Sequence, residues 1–207
     1  MLSFFKSSKN KVPKKGQSFY DRENLIQTID ELNSVLSHLN SSKTTKSKVN
    51  LLFQNKELDT ITEDKLEDEF GKESFLLEPI NSIPQHKIYY YRITSEHLRF
   101  LIQIHFIDGL FFFAGTKVYS ENLLLSNDKQ NVIKRISDKY CPDADENTIN
   151  FNIEDPNGNI LFTHDDMYYN LKYLANNEVS RKLKKQYSGY VKPQSGAEIK
   201  DTLDNLI

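Results

Sequence analysis

The stretch RFLIQIHFIDGLFFFAG, residues 99–115, contains many large apolar residues on both sides of an Asp-Gly pair. Asp108 and Gly109 separate two runs of β-branched and aromatic residues, an arrangement typical of a β-hairpin. Both central positions of a type I′ turn need positive φ, and Asp-Gly accommodates this at low cost. We therefore predict a two-residue turn in which Ile107 lies opposite Leu110.

This register divides the hairpin into two unlike faces, because side chains alternate along a strand. The apolar face pairs Phe106 with Phe111, Ile104 with Phe113 and Ile102 with Gly115. The mixed face pairs His105 with Phe112, Gln103 with Ala114, Leu101 with Thr116 and Arg99 with Val118. A ligand pocket over the mixed face is predicted from Arg99, Gln103, His105 and Phe112. The simpler interpretation is that His105 is a partly buried imidazole bonded to a neighbouring backbone carbonyl or to the covering helix.

Further apolar runs of strand length surround this turn. We predict an antiparallel meander of three strands over residues 87–93, 99–107 and 110–119. A short buried strand is predicted over 49–53 and a second hairpin within 148–165.

Helical spacing of apolar residues predicts four helices. The first lies within residues 20–40, and a short acidic helix follows Thr62 and ends at Gly71. The third begins near Ser126, and the last covers 165–189 with a break at its paired asparagines. The expected fold is α+β: a three-stranded meander, a second hairpin and one short strand packed against amphipathic helices.

Composition predicts one domain between two tails. Residues 1–17 are lysine-rich and predict a flexible basic arm, 18–190 a single α+β domain and 191–207 a loose tail. Cys141 is the only cysteine, which excludes an internal disulfide and fits a reducing compartment. The opening residues lack the apolar run of an export signal or a membrane span, so we expect a cytoplasmic protein.

Motifs with a defined chemistry are absent from the sequence. The histidines do not follow a metal-binding spacing, and neither phosphate-binding glycine loop nor GxSxG occurs. Asp165 beside His164 is most simply a helix cap, and nothing near Cys141 is expected to lower its pKa. We therefore expect no cofactor, no metal and no catalytic residues, and a binding protein rather than an enzyme.

Charge is balanced over the chain but separated locally. Residues 57–73 hold eight acidic side chains against two lysines, whereas 181–192 hold five basic side chains and no acid. Such segments are usually solvated faces; the alternative is an acidic surface that steers a basic protein partner. That surface would comprise Glu63, Asp64, Glu67 and Asp68. The formal net charge of −2 argues against nucleic-acid and membrane binding.

We therefore expect a non-catalytic cytoplasmic protein-binding module, either an immunity-type inhibitor or a secretion chaperone. The predicted order of the later elements is similar to that of secretion chaperones, although the preceding strand and acidic helix depart from that pattern. The alternative is a small-ligand-binding protein or enzyme with a pocket over the sheet near His105. A deep cavity at His105 would favour the alternative.

Overall fold

The computed structural model describes residues 26, 28–41, 43–77, 83, 85–120, 124–145 and 147–189. The expected basic arm and loose tail lie outside these residues. The described helices are α1 (Ile29–Ser37), α2 (Leu66–Phe70), α3 (Ser126–Tyr140) and α4 (Glu178–Tyr187). The described strands are β1 (Thr45–Lys46), β2 (Leu52–Phe53), β3 (Lys56–Glu57), β4 (Phe75–Leu77), β5 (His86–Ser95), β6 (Leu98–Ile107), β7 (Leu110–Tyr119), β8 (Asn152–Glu154), β9 (Ile160–Asp165) and β10 (Tyr169–Leu174).

Eight of these strands form one mixed, mostly antiparallel sheet in the order β1-β8-β9-β10-β7-β6-β5-β4. β1 lies parallel to β8, and β2 and β3 form a separate hairpin. The class is α+β, but the expected sheet was wrong. Antiparallel pairing of β7 with β10 joins the two expected units into one sheet, and this long-range pairing leaves no local pattern in the sequence.

The segment before α4 is a strand, which corrects the last predicted helix. Met167, Leu171 and Leu174 fit helical spacing, but β10 lies between β9 and β7. The helix begins only at Glu178, after Asn177, whose side chain accepts a hydrogen bond from the backbone N–H of Ser180. The paired asparagines therefore mark a boundary between strand and helix.

The Asp-Gly turn is confirmed. Asp108 and Gly109 have φ values of 56° and 73°, and Ile107 lies opposite Leu110. The predicted pair of Phe106 with Phe111 is also confirmed, but from His105 onward the predicted register is wrong by one residue, because a bulge at Phe112 adds one residue to β7. The observed pairs are His105 with Phe113, Ile104 with Ala114, Gln103 with Gly115, Ile102 with Thr116, Leu101 with Lys117 and Arg99 with Tyr119.

One side of the sheet, the α2/α3 face, carries the apolar residues of the hairpin. Ile102, Ile104 and Phe106 are buried there. Their covering side chains are Phe53, Leu58, Ile61, Leu66 and Phe70. α3 covers the β8–β10 part of this face. Leu66 and Phe70, four residues apart, are therefore the buried residues of the short acidic helix.

The opposite side, the α1/α4 face, is covered by the first and last helices. Leu32 and Leu36 of α1 pack with Val179 and Leu183 of α4 in one core cluster. The sheet residues of that cluster include Ile107, Phe112, Phe113, Ile160, Phe162 and Leu174. α1 lies within the predicted range and follows Thr28, where Thr28 and Glu31 form a reciprocal capping box.

Candidate functional site

Two residues of the predicted ligand pocket lie together in the core. The His105 Nε2 atom is 3.5 Å from Gln103 Oε1, and its Nδ1 atom is 2.9 Å from His86 Nε2. Both imidazoles are 0% exposed. Burial lowers the pKa of His86 to about 4 and that of His105 well below its ordinary value, with His86 adding to the second effect. Both rings are therefore neutral at pH 7.

The described side chains leave little space beside this pair. A void of about 10 Å³ adjoins Gln103, which is room for about one water molecule. Arg99 lies near the other end of β6, and Phe112 packs into the core under α1 and α4. The structure thus brings Gln103 and His105 together as buried side chains, and the pocket stays a prediction.

The predicted acidic surface is divided by an internal ion pair. Glu63 accepts hydrogen bonds from the ammonium of Lys87 at 2.6 Å and from the hydroxyl of Tyr89 at 2.7 Å. Burial raises the pKa of the Glu63 carboxyl, but these two bonds outweigh burial and leave it below its ordinary value. Asp64, Glu67 and Asp68 are exposed. This surface also stays a prediction.

A cavity of about 930 Å³ opens at the edge of the sheet formed by β1 and β8. We call it the edge cavity. Its wall comprises His38, Lys43, Thr45, Lys46, Lys48, Val49, Lys139, Tyr140, Cys141, Pro142, Asp143, Ala144, Asp145, Thr148, Asn150, Phe151, Asn152, Phe162, Thr163, His164 and Lys172. Three separate parts of the chain therefore build it: the segment around β1, the segment from the end of α3 to β8, and β9 with β10.

The β1 wall is held by polar contacts to β8. The Ser47 N–H donates to the Glu154 carbonyl at 2.8 Å, and the Lys46 ammonium lies 2.6 Å from the Glu154 carboxylate. β1 is the last strand at this edge among the described residues. Sequence reasoning missed this wall, since it treated the polar string at 41–48 as the end of a helix. Its three lysines were the available signal.

Phe162 is an apolar residue of the wall that two other wall residues contact. The His38 ring stacks on it with a centroid distance of 3.9 Å, and the Lys172 Nζ atom lies 5.6 Å from its centroid. Lys172 is partly buried. Burial lowers the pKa of its ammonium; Asp166 opposes this effect and Lys117 adds to it.

The wall of the edge cavity is positively charged. It contains five lysines, Lys43, Lys46, Lys48, Lys139 and Lys172, against two acidic residues, Asp143 and Asp145. The chain as a whole has a formal charge of −2. The positive charge is therefore a local property of this edge.

The wall holds little that supports catalysis. Burial raises the pKa of the Cys141 thiol, which keeps it protonated and a weak nucleophile. Across the described ranges, no group of three His, Cys, Asp or Glu side chains is placed to hold a metal ion. The arrangement is suited to binding anions through ammonium groups.

No helix in the described part of the chain has both the length and the apolar character needed to cross a membrane. The chain has no significant match among protein-family models, curated proteins or solved structures.

Proposed function

We propose that this chain is a non-catalytic protein-binding module whose partner occupies the edge cavity. The observation that carries the proposal is the cavity itself, with its volume of about 930 Å³ and its wall from three parts of the chain. Small-molecule sites commonly span about 300 to 1,000 Å³, so this volume lies at the top of that range. It is large enough for a segment of another protein.

The rim of the cavity offers apolar contacts to such a segment. Val49 is 47% exposed and lies in the wall, and Ile149, between two wall residues, is 42% exposed. β1 is a terminal strand, and partner segments commonly add to a sheet by pairing with such a strand. An apolar contact beside a strand edge supports a protein partner more than a compact metabolite.

Non-catalytic binding in the cytoplasm fits the chemistry of the wall. The Cys141 thiol is buried, and a reducing compartment would keep it free. An immunity-type inhibitor and a secretion chaperone are two kinds of protein that act by such binding. The local positive charge favours an anionic partner, and exposed Val49 in the wall supports an acidic protein segment as that partner.

Site-specific photo-crosslinking tests the proposal. A benzophenone amino acid would replace Val49, and a matched protein would carry it at Leu110, which is 45% exposed and outside the cavity wall. In a lysate of the source organism, we expect position 49 to yield one discrete protein adduct and position 110 to yield none. Excess unlabelled wild-type protein should suppress the adduct.

A second competitor, the unlabelled Ala144→Trp variant, tests whether the adduct forms at the cavity. Ala144→Trp places a large ring in the wall, and we expect this variant to compete poorly. Equal adducts from positions 49 and 110, or full competition by the Ala144→Trp variant, would contradict the proposal. A small molecule that copurifies in native mass spectrometry, without a protein adduct, would contradict it as well.

A further inference from the structure

We infer that the segment received by the edge cavity is acidic and that the ammonium of Lys172 recognises one of its carboxylates. This inference rests on the proposed function, because it names the chemistry of the partner segment. Lys172 on β10 is the residue that we assign to determine specificity. Lys182 on α4 lies outside the cavity wall and serves as the matched control.

Lys172 is a partly buried cation with no ion pair to a described residue, and the charge of nearby Asp166 offsets only part of the effect of burial. Its Nζ atom lies over the Phe162 ring, and within the described part of the chain its side chain forms no hydrogen bond or ion pair. Removing an ammonium from water without a partner is unfavourable. The lowered pKa of Lys172, caused mainly by burial, has the same origin. A ligand carboxylate would supply the missing charge.

Other lysines of the wall extend this positive field. Lys43, Lys48 and Lys139 also form no ion pair with any described residue. Asp145, one of the two acidic residues of the wall, already accepts hydrogen bonds from the backbone and side chain of Asn147. Several ammonium groups are therefore open to external carboxylates.

The distribution of these groups favours a peptide over a compact anion or nucleic acid. The lysines lie on three separate parts of the chain, and the wall contains no arginine for bidentate phosphate contacts. Its aromatic rings Tyr140, Phe151 and Phe162 are buried, with at most 8% exposure, so they do not form a platform for bases. An extended acidic segment accounts for three observations together. It reaches lysines that are spread over the wall, it can pair with β1, the last described strand of the sheet, and it contacts exposed Val49.

Fluorescence anisotropy with defined probes tests this inference. The probe is fluorescein-labelled octaglutamate, with labelled octaglutamine as the uncharged control and unlabelled phosphate and octathymidylate as competitors. Wild-type protein should bind octaglutamate, more weakly as salt rises, and prefer it to octaglutamine. Lys172→Met should weaken binding by about tenfold or more, as loss of a desolvated charge contact does.

Lys182→Met is the matched control. Lys182 is exposed on α4, and its ion pair with Asp108 spans 3.9 Å at the surface. The same loss of charge there should change octaglutamate affinity by less than about twofold. The Lys172→Met variant should also unfold at the wild-type temperature or above it, because the substitution removes an unpaired, partly buried charge.

Several results would overturn the inference. These are equal binding of octaglutamate and octaglutamine, equal effects of the two lysine variants, stronger binding of octathymidylate or phosphate than of octaglutamate, and a lower unfolding temperature for Lys172→Met. If peptides bind without a charge preference while position 49 still crosslinks, acidic recognition fails and the protein-binding proposal stands. If position 49 captures nothing, the protein-binding proposal fails.

Discussion

His86 and His105 form a hydrogen-bonded pair of neutral rings in the core. The Gln103 Oε1 atom favours a proton on His105 Nε2, which leaves His105 Nδ1 to accept from His86 Nε2. His86 Nδ1 has no hydrogen-bond partner among the described residues. The pair therefore binds protons poorly when folded.

The first prediction is a loss of stability in mild acid. Folding lowers the pKa of His86 from 6.5 to about 4. Neutral His86 therefore contributes fully to the free energy of unfolding above pH 6.5, and this contribution is lost as pH falls toward 4, because the unfolded chain binds the proton first. The loss from His86 alone should be about 3 kcal/mol, since one pKa unit corresponds to about 1.4 kcal/mol. Urea unfolding at several pH values measures it.

Two variants connect this loss to the pair. In His86→Gln the amide still donates to His105, but the group at 86 no longer titrates, so stability should fall less between pH 6.5 and 4. The control His164→Gln removes an exposed imidazole, which separates the effect of the buried pair from that of losing one histidine. A wild-type profile for His86→Gln would contradict the prediction.

At the scale of elements, the central hairpin depends on one backbone conformation. Gly109 has φ of 73° and open space around it, so an added methyl group meets no neighbour there. Gly115, in β7 after the turn, has no positive φ, and the nearest atom to an added methyl is 3.5 Å away. The two positions therefore separate backbone strain from crowding.

The second prediction compares alanine at these positions. Gly109→Ala should destabilise the fold by about 1 kcal/mol or more, because it forces a side chain into the left-handed region. Gly115→Ala should cost little or stabilise slightly by restricting the unfolded chain. Thermal unfolding of both variants checks this, and an equal cost at the two positions would refute the role assigned to the turn.

Local signals in the sequence explain why some elements were predictable. The Asp-Gly turn, the positive φ of Gly71 and the span of α3 follow from residue chemistry within a few positions. The bulge at Phe112 does not, because three consecutive phenylalanines fit either phase of a strand. β10 was mistaken for helix because Met167, Leu171 and Leu174 match helical spacing by chance.

The candidate site was beyond sequence reasoning for a different reason. The edge cavity joins Lys46, Cys141 and Lys172, which are far apart in the chain. The parallel pairing of β1 with β8 that brings two of its walls together is long-range. Only the position of His105 and Gln103 on one buried face could be inferred, because alternation along β6 places them there.

At the scale of the molecule, the β7–β10 pairing joins two antiparallel units. Leu174 of β10 lies opposite Phe113 of β7 and Ile160 of β9, and it is 0% exposed. It belongs to the same cluster as residues of α1 and α4. The two units should therefore unfold together.

The third prediction is that a defect at this junction weakens both units. Leu174→Ala should lower the free energy of unfolding by about 2 to 5 kcal/mol, as loss of a buried leucine does. Hydrogen exchange should show similar loss of protection in β5–β6 and in β8–β9. Loss confined to one unit would show that the units unfold separately.

The central claim is that the edge cavity binds an acidic segment, and chemical-shift mapping tests it most directly. Isotope-labelled wild-type protein would be titrated with octaglutamate, and the backbone amide shifts recorded. We expect the changes to cluster in residues 43–49, in 139–152 and around Lys172, the three parts of the cavity wall. No change there, or changes scattered over α2 and the surface of α4, would contradict the claim.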